Sequence, residues 1–292
     1  MLIIVNADDF GRSNAINTAV LRAHHEGILT SASLMVTGAA FEEAVALARD
    51  TPSLAVGLHV VVTHGQSVLP KHEIPNLVDA NGLFSTNPFR NGLLYAVSRK
   101  ARQELARELA AQFERFAATG LPLSHVDGHL HMHLHPSVFN IVLPLAERHG
   151  ARGVRVPRDD LWLALRHDWQ RVSIKMVWAV VFGLLGRWCL NRLQGQRFVI
   201  AHRVYGLMQT GRMSEDYVAS LLSQLSVPIA ELFFHPTTIA ESEDFGPNAG
   251  DLATLLSPAV RQVIRERGLE LTTYPALYEG LKVHLPLPPL PY

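Results

Sequence analysis

The sequence has almost no cysteine and no excess charge of either sign. Its 292 residues include one cysteine, Cys189, which excludes an intramolecular disulfide and favours a reducing compartment. We expect the Cys189 thiol to be a small buried apolar group. Lys and Arg together number 26, as do Asp and Glu, so no overall electric field indicates nucleic acid as a partner.

Long apolar runs are also lacking. The beginning of the sequence, MLIIVNADDFG, has neither the basic region nor the small-residue cleavage site of a signal peptide. The longest apolar stretch, 176–186, is shorter than the roughly 20 residues that cross a bilayer. We therefore expect a cytoplasmic protein, with at most a peripheral contact on the inner face of the membrane.

Short apolar runs alternate with amphipathic stretches along most of the chain. Strands are predicted at 2–7, 31–37, 54–60, 123–127, 153–157, 230–236 and 269–274, and helices at 13–27, 41–50, 98–118 and 136–149. About seven strand–helix units favour a single-domain α/β fold, a distorted (β/α) barrel of parallel strands, over an open doubly wound sheet. We expect the domain to span 1–283 and the tail, 284–292, to be extended polyproline.

Histidine is abundant, with 15 copies, and five of them lie in HVDGHLHMHLHP, residues 125–136. The polar residues of this run fall on odd positions, which a strand would place on one face: His125, Asp127, His129, His131, His133 and His135. Because twelve residues exceed a usual strand, we expect the chain to leave the sheet near Gly128. The run alone does not distinguish a metal site from a polar strand edge or a histidine tract without function.

Polar residues gather at the ends of several predicted strands. They are Asp8, Asp9, His59, Asp127, His129, Arg155 and His235. Taken singly, adjacent carboxylates often only cap a helix, and a lone histidine in an apolar strand is more often a core residue. Together they form a set of groups that bind metal or move protons, at the edge of a parallel sheet where active sites lie.

Two histidines and one carboxylate make an open site for a divalent metal, with positions left for water and substrate. Asp9, His59 and His129 come from three predicted strand ends, which a barrel mouth can bring together. The neighbouring carboxylate, Asp8, would remain off the metal and accept a proton.

The motifs NADDFG, GLHV, SHVDGHLHMHLHP, GVRVPR and ELFFHP occur in this order between residues 6 and 236. As a set they resemble the YdjC/ChbG family of sugar deacetylases, which have a distorted barrel. The resemblance implies a metal held by Asp9, His59 and His129, with Asp8 as the base. It also implies His235 as the general acid and Arg155 as the residue that orients the base.

The same resemblance separates the histidine run into roles. It implies His125 and Asp127 as supports behind the metal ligands, His131 and His133 as substrate contacts or further supports, and His135 as a surface residue. Zinc, magnesium, cobalt and nickel all remain open as the single divalent cofactor. The products of the implied reaction are acetate and a free amino sugar.

Residues 161–203 depart from this pattern. They hold all four tryptophans of the chain, and seven Lys or Arg residues against one acid, Asp168. Their core, MVWAVVFGLLG, is either an internal core helix or a lipid-binding or membrane-surface element, with Trp178, Val181 and Phe182 as contacts.

Within the wider family this segment resembles the hopanoid-associated HpnK branch, which implies N-acetylglucosaminyl bacteriohopanetetrol as the substrate. The alternative substrate is a soluble N-acetylated chitooligosaccharide. More remote alternatives are a metallophosphoesterase, an iron oxygenase and a non-catalytic, membrane-associated metal-binding protein. We expect no nucleic-acid partner, and a homodimer is left open.

Overall fold

Eight short strands of the described chain hydrogen-bond into one sheet. The computed structural model describes residues 1–240, 243 and 245–283, so the predicted polyproline tail at 284–292 lies outside the described residues. The strands are β1 (Leu2–Phe10), β2 (Ser31–Leu34), β3 (Ala55–Val60), β4 (His125–Gly128), β5 (Gly153–Val154), β6 (Arg203–Tyr205), β7 (Ile229–Phe234) and β8 (Glu270–Thr272).

Eleven α-helices connect and cover these strands in the described chain. They are α1 (Asn14–Glu26), α2 (Phe41–Asp50), α3 (Pro88–Val97), α4 (Arg99–Ala117), α5 (Pro136–Arg148), α6 (Leu161–His167), α7 (Val172–Leu193), α8 (Glu215–Gln224), α9 (Ala249–Leu256), α10 (Pro258–Glu266) and α11 (Tyr274–Val283). A 3₁₀ segment, His129–Leu134, follows β4.

The order of the strands is that of a barrel opened at one point. The sheet runs β5-β4-β3-β2-β1-β7-β6, and β8 pairs with β1 as well. Each named pair is parallel. This is a cyclic order with a gap between β5 and β6, and single bridges, Gly153–Val199 and Arg158–Val204, lie in that gap. The predicted distorted barrel is confirmed, and the strands that the structure describes lack the order reversal of a doubly wound sheet.

Local signals place several helices where the sequence predicts them. The Ser13 side chain accepts a hydrogen bond from Ile16 N at 3.3 Å and caps α1, as expected for a helix beginning there. The Ser98 hydroxyl caps α4 in the same way through Ala101 N, at 3.2 Å. Helix α2 spans the predicted residues 41–50. A capping side chain marks the beginning of α1 and of α4, and the spacing of apolar residues marks α2. Interactions between residues close in the chain are therefore enough to locate these helices.

The strands differ more from prediction than the helices do. Strand β5 covers only Gly153–Val154 instead of 153–157, and β2 ends at Leu34 instead of 37. Strand β1 runs on to Phe10, beyond the predicted residue 7, so Asp8 and Asp9 lie within the strand. Strand ends depend on which neighbouring strand is within hydrogen-bonding reach, and the sequence does not show this.

Helices α6 and α7 lie between β5 and β6 in the chain, at the gap in the barrel. Helix α7 has 22 residues and is long and apolar enough to cross a membrane by length and composition alone, so the expectation that no segment reaches that length was wrong. Only 17% of the most apolar 18-residue window of α7 is buried, which does not fit the internal core helix that the sequence left open. Its Cys189 is fully buried, as expected.

Candidate active site

A cleft of about 800 Å³ opens at the carboxyl ends of the strands. Its floor is polar and includes Asp8, Asp9, His59, His129 and His235. Its walls include apolar residues from α3 and α7. The structure therefore brings together the residues that the sequence places at separate strand ends, because parallel strands all end at the same edge of a barrel.

The end of β1 is distorted where the two aspartates lie. The pairing of β1 with β2 shifts register between Ala7 and Phe10, and Asp9 has a φ of 63°. A non-glycine residue in the left-handed region is strained and persists only where its surroundings hold it. Here Gly11 N donates to Asn17 Oδ1 at 2.8 Å, which ties the following turn to α1.

Asp9, His59 and His129 form a compact, buried set of three donors. Asp9 Oδ1 lies 3.1 Å from His129 Nδ1 and 3.5 Å from His59 Nε2. One donor atom of each residue lies within 4.8 Å of those of the other two. One carboxylate and two imidazoles are the donor chemistry of an open divalent-metal site.

The electrostatics of this set also suit a cation. Burial alone would raise the pKa of Asp9, but His129 and then His59 lower it well below its ordinary value. Burial alone would lower the pKa of His59, but Asp127 raises it to about 9. Without a metal, the surrounding carboxylates therefore favour a proton on His59. The same carboxylates would stabilise a bound cation at this position.

Asp127 supports His59 from behind. Its Oδ1 accepts a hydrogen bond from His59 Nδ1 at 2.8 Å, which directs His59 Nε2 toward Asp9. Strands β3 and β4 set this contact, because His59 and Asp127 are partners in their register. A carboxylate that fixes the ring of a histidine is the usual support of a metal ligand.

Asp8, His59 and Asp127 form a second group that is close enough to hold an ion. Its atoms, however, already have hydrogen-bond partners. Asp127 Oδ2 accepts from Ser33 Oγ at 2.7 Å and from Arg155 Nη1 at 2.7 Å. Since the buried Arg155 guanidinium already places a positive charge on both Asp8 and Asp127, the set around Asp9 is the better candidate.

Arg155 is fully buried and contacts three carboxylates. It donates to both oxygens of Asp8, at 2.7 and 2.8 Å, and from Nε to Glu231 Oε1 at 2.8 Å. Burial would lower the pKa of Arg155, but Asp127, Asp8 and Glu231 raise it well above its ordinary value. The guanidinium therefore stays charged and fixes the Asp8 carboxylate in the floor of the cleft.

Sequence reasoning missed Glu231 and its partner Tyr274. Tyr274 donates to Glu231 Oε2 at 2.5 Å, and both side chains are fully buried. Burial raises the pKa of Glu231, which Arg155 partly opposes. The available signal was the charge of Glu231 inside the apolar strand AELFF, since a buried acid needs a partner.

His235 follows β7 directly and faces Asp8. Its Nε2 lies 3.9 Å from Asp8 Oδ2, and its backbone N–H donates to Asp251 Oδ2 at 2.8 Å. Its Nδ1 is buried and has no hydrogen-bond partner among the described residues. The side chain therefore lies at the floor of the cleft, with Nε2 toward the predicted base.

The histidine run leaves the sheet after Gly128, as expected, and its members separate. Leu130 and His131 both have φ near 50°, at 50° and 53°, so the strand alternation ends there. His131 lines the cleft and packs against Phe233 and Phe182, with ring centroids 5.1 and 5.6 Å away.

Two further histidines of the run, His125 and His133, bond to neighbouring groups behind the cleft. His125 Nε2 lies 3.0 Å from Ser33 Oγ, and His133 Nε2 lies 2.9 Å from the Arg155 carbonyl oxygen. Burial lowers the pKa of each of these histidines to about 4, so both are neutral at neutral pH. His135 is half-buried at the edge of the cleft, where it caps α5 instead of lying on the open surface as expected.

The loop after β7 lies at the rim of the cleft, where its side chains contact Arg12 and α7. Arg12 lies 3.2 Å from Asp9 Oδ2 and 2.7 Å from Glu243 Oε2. Phe245 packs against Trp178, with ring centroids 5.1 Å apart. The three residues predicted as lipid contacts, Trp178, Val181 and Phe182, all line the cleft.

Comparisons with known proteins agree with this architecture. The family model described as YdjC-like protein matches residues 2–266. A carbohydrate deacetylase of Brevibacillus brevis is 35% identical over 283 residues, which cover 95% of this chain and 100% of the relative. A chitooligosaccharide deacetylase of Serratia marcescens is 30% identical over 278 residues, which cover 94% and 98%.

A solved structure from Enterococcus faecalis, named for cellobiose-phosphate cleavage, matches with a TM-score of 0.72. Its sequence identity is 24%, and the match covers 94% of this chain and 98% of the other, so it supports the fold alone. The family model and the two curated relatives each cover nearly all of the chain. On these matches, the chain belongs to the YdjC-like protein family.

Proposed function

We propose that this protein is a carbohydrate deacetylase that hydrolyses the N-acetyl group of an amino sugar. The observation that carries the proposal is the pair of adjacent aspartates in different surroundings. Asp8 is held by Arg155, and Asp9 faces His59 and His129. The names of the relatives from Brevibacillus brevis and Serratia marcescens support the same reaction class.

Asp9, His59 and His129 would hold one divalent metal ion, with zinc, magnesium, cobalt and nickel all open. Such an ion would polarise the acetamide carbonyl, stabilise the oxyanion and lower the pKa of bound water. The chain's own contribution is to orient the donors: Asp127 fixes the His59 ring, and the strained backbone of Asp9 brings its carboxylate to both histidines.

Asp8 is the base in this proposal, and its hydrogen bonds identify which oxygen acts. Oδ1 accepts from Arg155 Nη2 at 2.8 Å and from Asn6 Nδ2 at 2.9 Å, which fills its two acceptor positions. Oδ2 accepts only from Arg155 Nη1 among the described residues. One acceptor position of Oδ2 is therefore left to take the proton of the attacking water.

His235 completes the proton transfers as the general acid. Its Nε2 lies 3.9 Å from Asp8 Oδ2, the oxygen that keeps one acceptor position. As the carbon–nitrogen bond breaks, protonated His235 donates its Nε2 proton to the leaving amine. The water oxygen goes to acetate, the nitrogen leaves as the free amino sugar, and one proton passes through each of Asp8 and His235.

The finer proposal is that the amino sugar is attached to a lipid, as in N-acetylglucosaminyl bacteriohopanetetrol. Its support is the apolar wall of the cleft, where α7 contributes Trp178, Val181 and Phe182. In this proposal residues 1–283 form one catalytic domain, the segment 161–203 is the lipid-binding insertion, and the enzyme acts in the cytoplasm at the inner face of the membrane. The alternative, a soluble chitooligosaccharide, is supported by the relative of that name.

Mass spectrometry of substrates incubated with metal-loaded protein tests both levels of the proposal. Loss of one acetyl group from N-acetylglucosaminyl bacteriohopanetetrol, at a higher rate than from diacetylchitobiose, is the expected result. Deacetylation of the soluble disaccharide alone would retain the reaction and reject the lipid substrate. Phosphate release or oxygen uptake without acetate release would reject deacetylation itself.

A further inference from the structure

Helix α7 has three faces with different surroundings. One face is packed into the protein through Lys175, Gly186, Cys189 and Leu193, which are all buried. A second face, with Val177, Val181 and Leu185 among its residues, lines the cleft. The buried residues extend from near the beginning of α7 to its last residue, so the helix lies along the barrel surface instead of projecting from it.

The third face of α7, here called the outer face, is Met176, Val180 and Leu184. These side chains are 55%, 63% and 65% exposed, and none of them lines the cleft. Their spacing of four residues places them in one row, turned away from the buried face by the helical period. Neither the core nor the proposed substrate therefore accounts for the apolar character of this row.

Helix α3 carries a similar row, here called the α3 ridge, which consists of Phe89, Leu93 and Val97. Its side chains are 80%, 64% and 69% exposed. Phe89 and Leu93 also edge the cleft that α7 lines, so α3 and α7 both border the same opening. Exposed apolar rows on two elements around one mouth exceed the single scattered residues that ordinary surfaces show.

The charged residues within α3 and α7 are all basic, and the acid at the cleft rim, Glu243, is paired with Arg12. Helices α3 and α7 contain no Asp or Glu, and exposed basic residues lie in or next to them at Arg90, Lys100, Arg187 and Arg192. The one acid between 161 and 203, Asp168, lies 3.1 Å from Arg212 and 3.7 Å from Lys175. Apolar rows with basic flanks complement the surface of an anionic bilayer.

We propose that the outer face of α7 and the α3 ridge dock together on an anionic phospholipid surface, with the cleft opening at the level of the headgroups. A second copy of the chain fits less well, because a symmetric interface would bring the same basic flanks against each other. The docking rests on the proposed function in one respect only: docking would let the cleft take a lipid-linked sugar directly from the membrane.

Co-sedimentation of the purified full chain with vesicles tests the docking. We expect binding to vesicles of phosphatidylglycerol and phosphatidylcholine, weakening as salt is raised, and little binding to phosphatidylcholine alone. The triple variant Met176→Gln, Val180→Gln, Leu184→Gln should partition up to about a thousandfold more weakly, since burying one such side chain is worth roughly tenfold in an equilibrium constant.

The matched control is Leu271→Gln. Leu271 is also exposed, at 42%, but it pairs with Ile3 at the beginning of β1, at the opposite end of the barrel from the cleft. This variant should bind vesicles as the unchanged protein does. Both variants should hydrolyse soluble diacetylchitobiose at the normal rate, which shows that the fold and the catalytic floor are intact.

Three results would overturn the docking: no vesicle binding by the unchanged protein, equal binding by the triple variant, or conversion of a dimer to a monomer by the triple variant in sedimentation velocity. The last would assign the outer face to a second copy of the chain. Vesicle binding that follows the expected pattern in a protein without deacetylase activity would leave the docking supported and reject the proposed function alone.

Discussion

The Arg155 guanidinium meets the Asp8 carboxylate in a two-point contact, with N–O distances of 2.7 and 2.8 Å, across 147 positions of the chain. Both side chains are buried, and the Arg155 Nε is held in turn by Glu231. A planar guanidinium bound at three positions has one orientation, so Asp8 also has one orientation. The proposed base is therefore positioned before any substrate binds.

Asp8→Asn should keep the metal and lose most of the turnover. The amide cannot accept the proton of the attacking water, and removal of a general base costs about 10²–10⁴-fold in rate. Metal content by mass spectrometry and acetate release from diacetylchitobiose measure the two effects separately. A near-normal rate in the metal-loaded variant would remove Asp8 from this role, and loss of the metal would make it a ligand.

Alanine at Asp9, His59 or His129 should abolish tight metal binding. A structure with metal added should show all three side chains about 2.0–2.3 Å from one ion. Asp127→Asn should weaken binding by only about 10–100-fold, because Asp127 orients His59 without reaching the ion. Competition with a chromophoric chelator gives these affinities, and an ion found among His131, His133 and His135 would contradict the assignment.

His235→Ala should slow amide hydrolysis far more than ester hydrolysis. The amine of an N-acetyl sugar needs a proton in order to leave, whereas the phenolate of p-nitrophenyl acetate does not. We expect a loss of about 10²–10⁴-fold on the amide and a much smaller one on the ester. Equal losses on both substrates, with metal bound, would point to a structural role for His235.

The metal-free protein should lose stability as the pH falls from about 6.5 toward 4. Burial lowers the pKa of His133 from 6.5 to about 4, so within this window the unfolded chain binds a proton that the folded chain does not. His133→Gln, which can keep the bond to the Arg155 carbonyl, should flatten the slope by about 1.4 kcal/mol per pH unit. Urea unfolding at several pH values measures this slope, and an unchanged slope would contradict the lowered pKa.

Polar replacements at Val177, Trp178, Val181 and Phe182 should reduce activity on the glycolipid and change the hydrolysis of a soluble N-acetylglucosamine substrate little. These side chains form the cleft wall of α7, and each apolar Å² removed from water contributes roughly 25 cal/mol. The matched control is the triple variant of the outer face, assayed on glycolipid dissolved in detergent. It should hydrolyse this substrate at the rate of the unchanged protein. An equal loss on both substrates would mean that the α7 wall is structural.

The sequence by itself determined the five acidic and histidine residues that form the floor of the cleft. Asp8, Asp9, His59, His129 and His235 were all found from one rule, that parallel strands end at a common edge, together with the residue types that bind metal or move protons. The short-range signals at Ser13 and Ser98 located α1 and α4, because a helix cap involves neighbouring residues only.

The tertiary structure decided what depends on contacts between distant segments. It showed that Glu231 and Tyr274 hold Arg155 from behind, although neither residue is near it in the chain. It gave Asp9 its left-handed backbone, and it placed α6 and α7 at the gap between β5 and β6. The sequence of an apolar helix does not show which side chains face the core, the cleft or the outside, because this depends on where the helix packs. For α7, these three faces can be assigned only from the folded structure.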